Sequence, residues 1–274
     1  MQKRQLAIGN YTYPLFPFTY FLDAAVEFHI HKIEIWAASP HLYLDDYTSL
    51  MLKQMKKDID SRQLQVICLT PEQCMYPINI GAREEYIRKR SMLYFEKAIN
   101  AAEILDTGAV LVTPGDSYRN ESPEYAYDYT VKNIRILAEK AKEKNLKLYL
   151  EHLTKETTAV AITAKELWKL KCDIGMDNVL CMMDTDMASR YSETAEDYIR
   201  ETHNQLGHVH LVDGMPSGHL APGDGRLPLF TFLDSLDQAG YQGHLTLEIS
   251  NDKYYLNPNA AIKKSIKWFE NYIK

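Results

Sequence analysis

Apolar and polar positions alternate along the chain in two recurring patterns. Short, nearly continuous apolar runs are typical of strands buried on both faces, and longer stretches with apolar residues three or four apart are typical of amphipathic helices. The first pattern predicts strands at residues 6–9, 32–36, 65–69, 109–113, 146–150, 179–183, 206–213 and 244–248. The second predicts a helix after each strand, at residues 21–28, 47–61, 84–105, 124–144, 164–171, 192–203, 228–239 and 260–272.

This regular alternation predicts a parallel sheet with right-handed crossovers. Eight strand-helix units in a chain of 274 residues have the size of a closed barrel. The alternative is an open doubly wound sheet, which usually carries a phosphate-binding glycine loop after its first strand. Here residues 10–14 read Asn-Tyr-Thr-Tyr-Pro and contain no such loop. We therefore predict one α/β domain over residues 1–274, a (β/α)8 TIM barrel.

The seventh predicted strand is apolar except for two histidines, His208 and His210. Residues two apart on a strand point to the same face, and burying two polar rings there is costly unless they meet partners or a ligand. Taken alone, the pair is better interpreted as hydrogen-bonded core histidines, because this spacing is a weak signal.

Three other predicted strands end in a carboxylate and change that interpretation: Glu151, Asp184 and Glu248. In a barrel the carboxyl ends of the strands converge on one face, so these side chains and His210 share a rim. Any one of these four residues could simply be a polar residue exposed to water at the end of a strand. That interpretation explains poorly why all four lie on neighbouring strands. Three carboxylates and one imidazole predict one divalent metal ion, with Mn²⁺, Mg²⁺ or Co²⁺ favoured over Zn²⁺.

The strand endings also carry a resemblance to a known family. Leu-Glu151, Met-Asp184, His208-Val-His210-Leu and Leu-Glu248 resemble the xylose-isomerase-like superfamily of sugar isomerases and epimerases. Four earlier segments resemble the ketose 3-epimerases and, more closely, the fructoselysine 3-epimerases: Ile33-Glu-Ile-Trp36, Pro40-His41, Thr70-Pro-Glu72 and Tyr76-Pro77.

The resemblance implies an isomerase that inverts carbon 3 of a ketose or a ketosamine. One divalent metal ion would be held by Glu151, Asp184, His210 and Glu248 and would stabilise an enediolate as a Lewis acid. Glu151 and Glu248 would also be the catalytic pair, one removing the proton and the other returning it to the opposite face. Which glutamate acts as the base in a given direction is left open.

Departures from the free-ketohexose epimerases favour a modified or substituted ketose. Met187 stands where those enzymes have a substrate-binding histidine, and Thr157 stands where they have a glutamate, with Glu156 one position earlier. An arginine after the strand-seven histidine is absent, while His219 resembles a histidine of the fructoselysine enzymes.

We predict four substrate-binding residues, namely Trp36, Glu72, Glu156 and His219. Trp36 is equally consistent with the core, and Glu72 is almost as consistent with a solvated loop. Glu34 shares a face with Trp36, and we interpret it as a buried carboxylate with satisfied hydrogen bonds.

Other activities use the same barrel. An aldose-ketose isomerase follows the same enediolate chemistry, and a keto-polyol dehydratase is a third possibility. An endonuclease-IV-like hydrolase needs a multi-zinc cluster and a basic DNA-binding face, and the sequence indicates neither. A non-catalytic scaffold would have no evident use for the ligand set.

The resemblance implies a small sugar or sugar-amine as the partner, and composition argues against two other classes. The net charge of -6 and the lack of a Lys/Arg block argue against nucleic acid, and no apolar run reaches the roughly 20 residues of a membrane span. The N-terminal segment is too polar for a signal peptide, and the cysteines at positions 68, 74, 172 and 181 match no zinc spacing. We expect reduced thiols, a cytoplasmic location and, from the family alone, a possible homo-oligomer.

Overall fold

The computed structural model describes residues 1–73, 78–215 and 218–273. Its parallel strands pair in chain order, and the last strand pairs with the first, which closes the barrel. The predicted (β/α)8 fold is therefore confirmed. The strands are β1 Leu6–Gly9, β2 Lys32–Ala37, β3 Gln65–Pro71, β4 Ala109–Val112, β5 Lys147–Leu150, β6 Val179–Asp184, β7 Leu206–His210 and β8 His244–Leu247.

Helices cover the outside of the barrel. They are α1 Phe18–Glu27, α2 Ser49–Asp60, α3 Glu85–Ile104, α4 Glu124–Glu143, α5 Ala164–Ile174, α6 Thr185–Arg190, α7 Ala195–Glu201, α8 Leu229–Gln238 and α9 Pro258–Tyr272. Short 3-10 helices lie at Lys3–Gln5, Asn10–Thr12 and Asp252–Tyr254. Each predicted helix has an observed counterpart, with ends that differ by a few residues.

The segment after β6 departs most from prediction, because it forms two helices instead of one. Asp184 accepts a hydrogen bond from the backbone N–H of Met187 (2.7 Å) and caps α6, which the sequence pattern does not predict. Ser192 then adopts a left-handed backbone (φ 59°). Thr194 and Asp197 form a capping box that starts α7. Local capping therefore outweighs the weak apolar periodicity of residues 192–203.

Helix α5 shows why one predicted end was placed too early. Thr163 caps its first turn by accepting from the N–H of Glu166, and Gly175 ends it in the left-handed conformation (φ 71°). Glycine adopts that backbone without steric cost, so the helix runs to the residue before it. The observed end is Ile174, whereas the prediction stopped at Lys171.

Two apolar layers hold the barrel together. The larger lies between the strands and the surrounding helices. The smaller lies inside the barrel and is made of residues from β1, β3, β4, β5 and β6: Ala7, Ile67, Cys68, Ala109, Leu111, Tyr149 and Met182. Above the inner layer the strands turn polar side chains inward, which places polar groups directly beneath the carboxyl-end face.

Two smaller predictions concern membranes and cysteines. Within the described ranges, no helix combines the length and apolar character needed to cross a bilayer. Cys68, Cys172 and Cys181 are free thiols. Cys74 and the Tyr76-Pro77 motif lie outside the described residues.

Candidate metal centre

Four predicted site residues stand at the carboxyl ends of neighbouring strands. Asp184 and His210 are the last residues of β6 and β7, and Glu151 and Glu248 directly follow β5 and β8. The Nδ1 atom of His210 lies 2.9 Å from Oε2 of Glu248 and 3.6 Å from Oε1 of Glu151. Ligand-type atoms of Glu151, Asp184 and His210 lie within 4.8 Å of one another. The structure thus brings together the four residues predicted as metal ligands.

These four side chains share a second property, an unsatisfied buried atom. These buried atoms have no hydrogen bond of acceptable geometry among the described residues: Oε1 of Glu151, Oδ2 of Asp184, Nδ1 of His210 and Oε2 of Glu248. A buried polar atom without a partner costs about 1–3 kcal/mol, so four of them at one point call for a ligand. Three carboxylate oxygens and one imidazole nitrogen fit a divalent cation.

The electrostatics of the carboxyl groups agree with this fit. Burial, partly offset by attraction to His210, raises the pKa of Glu151 well above its usual value. Burial also raises the pKa of Asp184 to about 6, against the attraction of His219. At Glu248 the effect of burial is outweighed by His210 and His219, which lower its pKa to about 2. A bound cation would favour the charged form of all three carboxyls and relieve the cost of burying them.

A buried carboxylate, Glu34, lies beneath this rim. It accepts hydrogen bonds from the hydroxyls of Tyr11 (2.9 Å) and Thr70 (2.5 Å) and from Nε2 of His210 (3.0 Å) and of His208 (2.9 Å). Burial opposes its charge, but the two histidines outweigh burial and hold the pKa of Glu34 well below its usual value. Glu34 is therefore the satisfied buried carboxylate that the sequence predicts.

The bond to Glu34 fixes how His210 presents its ring. Because Nε2 donates to Glu34, Nδ1 is the atom directed at the rim. Burial lowers the pKa of His210, but Glu248 and Glu34 outweigh it and hold that pKa well above its usual value. A metal ion at Nδ1 would therefore displace a proton.

His208, the other histidine of β7, lies in a different environment from His210. His208 is fully buried, stacks on the ring of Tyr149 (centroids 5.3 Å apart) and bonds Glu34. The interpretation as a core histidine thus holds for His208, while His210 belongs to the rim.

A pocket of about 330 Å³ opens at this rim, and Glu151 and Glu248 line it. Three of the predicted substrate-binding residues line it. Trp36 stacks on Tyr11 (5.6 Å) and donates through Nε1 to Oε2 of Glu72 (2.9 Å). Nε2 of His219 lies 3.4 Å from Oε2 of Glu248. Trp36 is thus a pocket wall, and Glu72 is held in the pocket by a hydrogen bond.

The structure does not bring Glu156 into this pocket. The backbone N–H groups of Thr157 and Thr158 both donate to the carbonyl of Thr154 (2.9 and 3.0 Å), which forms a tight turn. That turn points Thr157 into the pocket and leaves Glu156 exposed along an adjoining cavity. A role of Glu156 in substrate binding stays a prediction.

A family model described as the xylose isomerase-like TIM barrel matches residues 22–272. The chain belongs to this family. It is 26% identical over 251 residues to fructoselysine 3-epimerase of Shigella flexneri, covering 91% of this chain and 90% of that protein. That relative is named an epimerase, and epimerases are isomerases, which confirms the predicted enzyme class.

Solved structures agree on the xylose isomerase-like fold. D-psicose 3-epimerase of Clostridium cellulolyticum H10, solved with D-tagatose, has a TM-score of 0.79 at 18% identity, covering 95% of this chain and 98% of that one. The IOLI protein, solved with a zinc atom, has a TM-score of 0.81 at 18% identity, covering 98% of each chain. At this identity the comparison concerns the fold alone.

Sequence reasoning missed an ion pair at the pocket of this family member. Arg190 lines the pocket, and its Nε and Nη2 donate to Oδ2 of buried Asp186 (3.1 and 2.9 Å). The two residues are four apart on α6, a spacing that signals a pair on a helix. The signal was overlooked because α6 itself was not predicted.

Asp213 is the second missed residue, and it organises the loop that carries His219. Its carboxylate accepts four backbone N–H groups at 2.9 to 3.0 Å, from Gly214, Gly223, Gly225 and Leu227. Its own backbone pairs with Leu220. The run of glycines after it could have indicated a tightly folded loop, but not which side chain folds it.

Proposed function

We propose that this protein is a divalent-metal-dependent 3-epimerase of a ketose or ketosamine. The proposal rests chiefly on one observation. Four buried ligand atoms without an acceptable hydrogen bond among the described residues converge on one point, and two of them belong to glutamates that line the pocket. The names of the curated relatives support the reaction type.

Glu151, Asp184, His210 and Glu248 would hold the metal ion, with Mn²⁺, Mg²⁺ or Co²⁺ favoured by the oxygen-rich set. When bound, the ion supplies Lewis-acid polarisation of the substrate carbonyl, which acidifies the neighbouring C–H bond.

Glu151 and Glu248 carry out the proton transfers in this proposal. They follow β5 and β8, so two strands separate them on the rim and a sugar can lie between them. One carboxylate takes the proton from carbon 3, and the other carboxyl returns a proton to the opposite face. Because the two faces differ, the carbon is inverted.

Other residues of this chain would orient the sugar. His219 lies beside Glu248 and can hydrogen-bond a substrate hydroxyl. The stacked rings of Tyr11 and Trp36 offer an apolar wall to the C–H face of a sugar. Arg190, held by Asp186, adds a cationic donor at the pocket edge.

The deciding experiment is solvent proton exchange. The protein with added Mn²⁺ is incubated in D₂O with free ketoses and with ketosamines, and the products are followed by NMR. Deuterium at carbon 3 of a C3-inverted product is the expected result. Deuterium at carbon 1 would instead identify an aldose-ketose isomerase. No exchange on any of these compounds, with bound metal demonstrated, would overturn the assignment to ketoses.

Two variants locate the chemistry. Glu151→Gln and Glu248→Gln should each abolish inversion of carbon 3, because inversion needs one carboxylate to take the proton and the other carboxyl to return it. Glu196→Gln is the matched control, since Glu196 is exposed on α7 and lines neither the pocket nor its neighbour. Inversion that survived both variants would exclude the two glutamates as the proton-transfer pair.

A further inference from the structure

Asp186 is a buried carboxylate in the wall of the pocket that Glu151 and Glu248 line. It lies on α6, two residues after the candidate ligand Asp184, and only 3% of its surface is exposed. Its Oδ2 atom accepts hydrogen bonds from both Nε and Nη2 of Arg190. Arg190 lines the same pocket, and half of its side chain is exposed. The pair therefore joins a buried anion to a cation that reaches the pocket.

The pair between Asp186 and Arg190 is poorly suited to a purely structural role. A half-exposed ion pair at this spacing on a helix contributes little to the free energy of folding. Burying a carboxylate is costly, and one partly exposed guanidinium offsets that cost incompletely. The helix that carries both residues has only six residues. This balance indicates a role in the pocket and not in the stability of α6.

His219 lies on another side of the same carboxylate. Its Nδ1 atom is 4.0 Å from Oδ2 of Asp186, and its Nε2 atom is 3.4 Å from Oε2 of Glu248. One ring nitrogen thus faces the buried acid, and the other faces the rim. The separation of 4.0 Å is longer than a hydrogen bond, but contacts of this kind commonly shorten when a substrate binds. Asp186 would attract the Nδ1–H group and leave Nε2 directed at the substrate.

The loop that carries His219 rests directly on the pair between Asp186 and Arg190. A Cβ atom added at Gly218 would lie 2.4 Å from Oδ2 of Asp186 and 2.6 Å from Nη2 of Arg190. A Cβ atom added at Gly214 would lie 2.1 Å from Oδ1 of the same aspartate. Only backbone without a side chain can approach so closely. His219 follows in a left-handed backbone (φ 54°), so the pair supports the loop at the point where this side chain leaves it.

The pocket has walls of two kinds. Tyr11 and Trp36 form an apolar wall. Arg190 and His219 supply N–H donors, and among the described residues that line the pocket Arg190 is the one lysine or arginine. A sugar has both C–H faces and hydroxyl groups, so it can contact the two kinds of wall at once. The directions of the two donors therefore decide which hydroxyl groups are bound.

We propose that Asp186 is a positioning residue for the sugar. Its carboxylate holds the guanidinium group of Arg190 and the imidazole ring of His219 in fixed directions, and these two side chains donate hydrogen bonds to hydroxyl groups of the substrate. Asp186 acts through them and transfers no proton. This inference rests on the proposed 3-epimerase activity, and it adds the part of the site that sets the orientation of the substrate.

Double-mutant cycles measure whether Asp186 acts through its two neighbours. Exchange at carbon 3 in D₂O with Mn²⁺ gives kcat and KM for the compound that exchanges fastest. Arg190→Gln and His219→Asn should each lower kcat/KM about tenfold, mainly by raising KM, and Asp186→Asn should lower it at least as much. Asparagine suits position 219 because it tolerates a left-handed backbone and lacks the Nε2 atom. Adding either change to Asp186→Asn should cause no further loss.

Analogues that lack one hydroxyl group test the substrate side of these contacts. The fastest compound is compared with its derivatives that lack the hydroxyl at carbon 4, 5 or 6. With the wild-type protein, at least one derivative should lose about tenfold in kcat/KM, as for a charged hydrogen bond. Asp186→Asn should show no such loss for that derivative, because the donor is already misplaced. Losses of equal size in both proteins for every derivative would overturn the inference.

Two further variants guard against a general effect on folding. Arg200→Gln breaks an exposed pair with Asp197 on α7 (2.8 Å) that lies outside the pocket lining, so it should keep the wild-type kcat/KM. Gly218→Ala covers the case in which Asp186→Asn does not fold. It keeps all three polar side chains, but its methyl group would displace the pair, so KM should rise about tenfold. Adding Arg190→Gln to Gly218→Ala should then cause little further loss.

The outcomes separate the two proposals. Exchange on no ketose or ketosamine with the wild-type protein would refute the 3-epimerase proposal, and the role of Asp186 with it. Double variants about tenfold poorer than Asp186→Asn would leave the epimerase intact and overturn the inference, because losses at independent sites multiply. A wild-type KM in both Asp186→Asn and Gly218→Ala would overturn it as well.

Discussion

At the scale of single residues, Glu34 controls the candidate metal centre without facing the pocket. It receives hydrogen bonds from Tyr11, Thr70 and His210 at Oε1 and from His208 at Oε2, so both oxygens of this buried carboxylate are satisfied. Through His210 it determines which ring nitrogen faces the rim. Partners of this kind typically change metal affinity by about 10–100-fold when removed.

Glu34→Gln should therefore weaken metal binding by about 10–100-fold. The amide nitrogen would face histidine N–H donors, so the ring of His210 would lose its anchor. Isothermal titration with Mn²⁺ measures the change. Tyr11→Phe removes a different bond to the same carboxylate and should cost much less. Equal affinities in Glu34→Gln and wild type would show that His210 is oriented by something else.

The residue scale also shows what a sequence can predict about a site. Glu151, Asp184, His210 and Glu248 were found because barrel topology brings strand ends together whatever the loops do. The sequence did not predict that Arg190 lines the pocket or that Glu156 lies beside it, because their directions depend on a short capped helix and on a tight turn. Local hydrogen bonds of this kind cannot be predicted from the spacing of apolar residues in the sequence.

At the scale of elements, the loop between β7 and α8 is folded around one side chain. Asp213 holds both ends of the loop by accepting backbone N–H groups. A Cβ atom added at Gly225 would lie 2.1 Å from the carbonyl oxygen of Gly214. The backbone at the start of the loop is therefore in close contact with the backbone near its end. The loop therefore presents His219 from a rigid base.

Asp213→Asn should destabilise the protein by about 2–4 kcal/mol, because the amide nitrogen would oppose two buried N–H donors. It should also raise KM through loss of the His219 position. Urea unfolding and steady-state kinetics measure the two effects. Asp252→Asn, at an exposed aspartate, should stay within about 0.5 kcal/mol of wild type. A variant of Asp213 with wild-type stability would contradict this account of the loop.

Another link between elements depends on pH. Glu193 accepts from the N–H of Ala164 at the start of α5, and burial, with repulsion from Asp197 and Glu166, raises its pKa to about 7. The folded state thus holds this proton more tightly than the unfolded state, so stability from the group is complete at low pH and is lost as pH rises through about 7.

Glu193→Gln should therefore gain stability relative to wild type above pH 7 and show no gain near pH 4. Glutamine keeps an oxygen for Ala164 but carries no charge to bury. Thermal unfolding of both proteins across this pH range measures the difference. A difference that stays constant with pH would show that Glu193 titrates normally.

At the scale of the whole molecule, the fold and the family were predicted correctly from the sequence. Both predictions use the strand-helix alternation and the residues at the strand ends, and neither signal depends on the length of the loops. The boundaries of helices were not predicted correctly, because capping residues such as Thr194 and Gly175 set them. The cytoplasmic location and the oligomeric state stay predictions.

A metal ion at the centre should stabilise the entire barrel. Binding at 100 times Kd adds about 2.7 kcal/mol, which raises Tm by roughly 5–10 °C in a protein of this size. Calorimetry with Mn²⁺, and again after EDTA, measures the shift. Asp184→Asn should abolish it while keeping the α6 cap, since asparagine also caps helices. A wild-type Tm indifferent to Mn²⁺, Mg²⁺, Co²⁺ and Zn²⁺ would argue against a metal centre.

The hydrogen bond between Glu34 and His210 joins residues 176 positions apart. The four candidate ligands are contributed by the second half of the chain, and the anchor beneath them by the first. During synthesis the pocket floor stays incomplete until β8 has left the ribosome and joined β1. The complete set of candidate ligands would thus exist only in the closed barrel, so that a truncated chain lacking β8 should bind the ion more weakly.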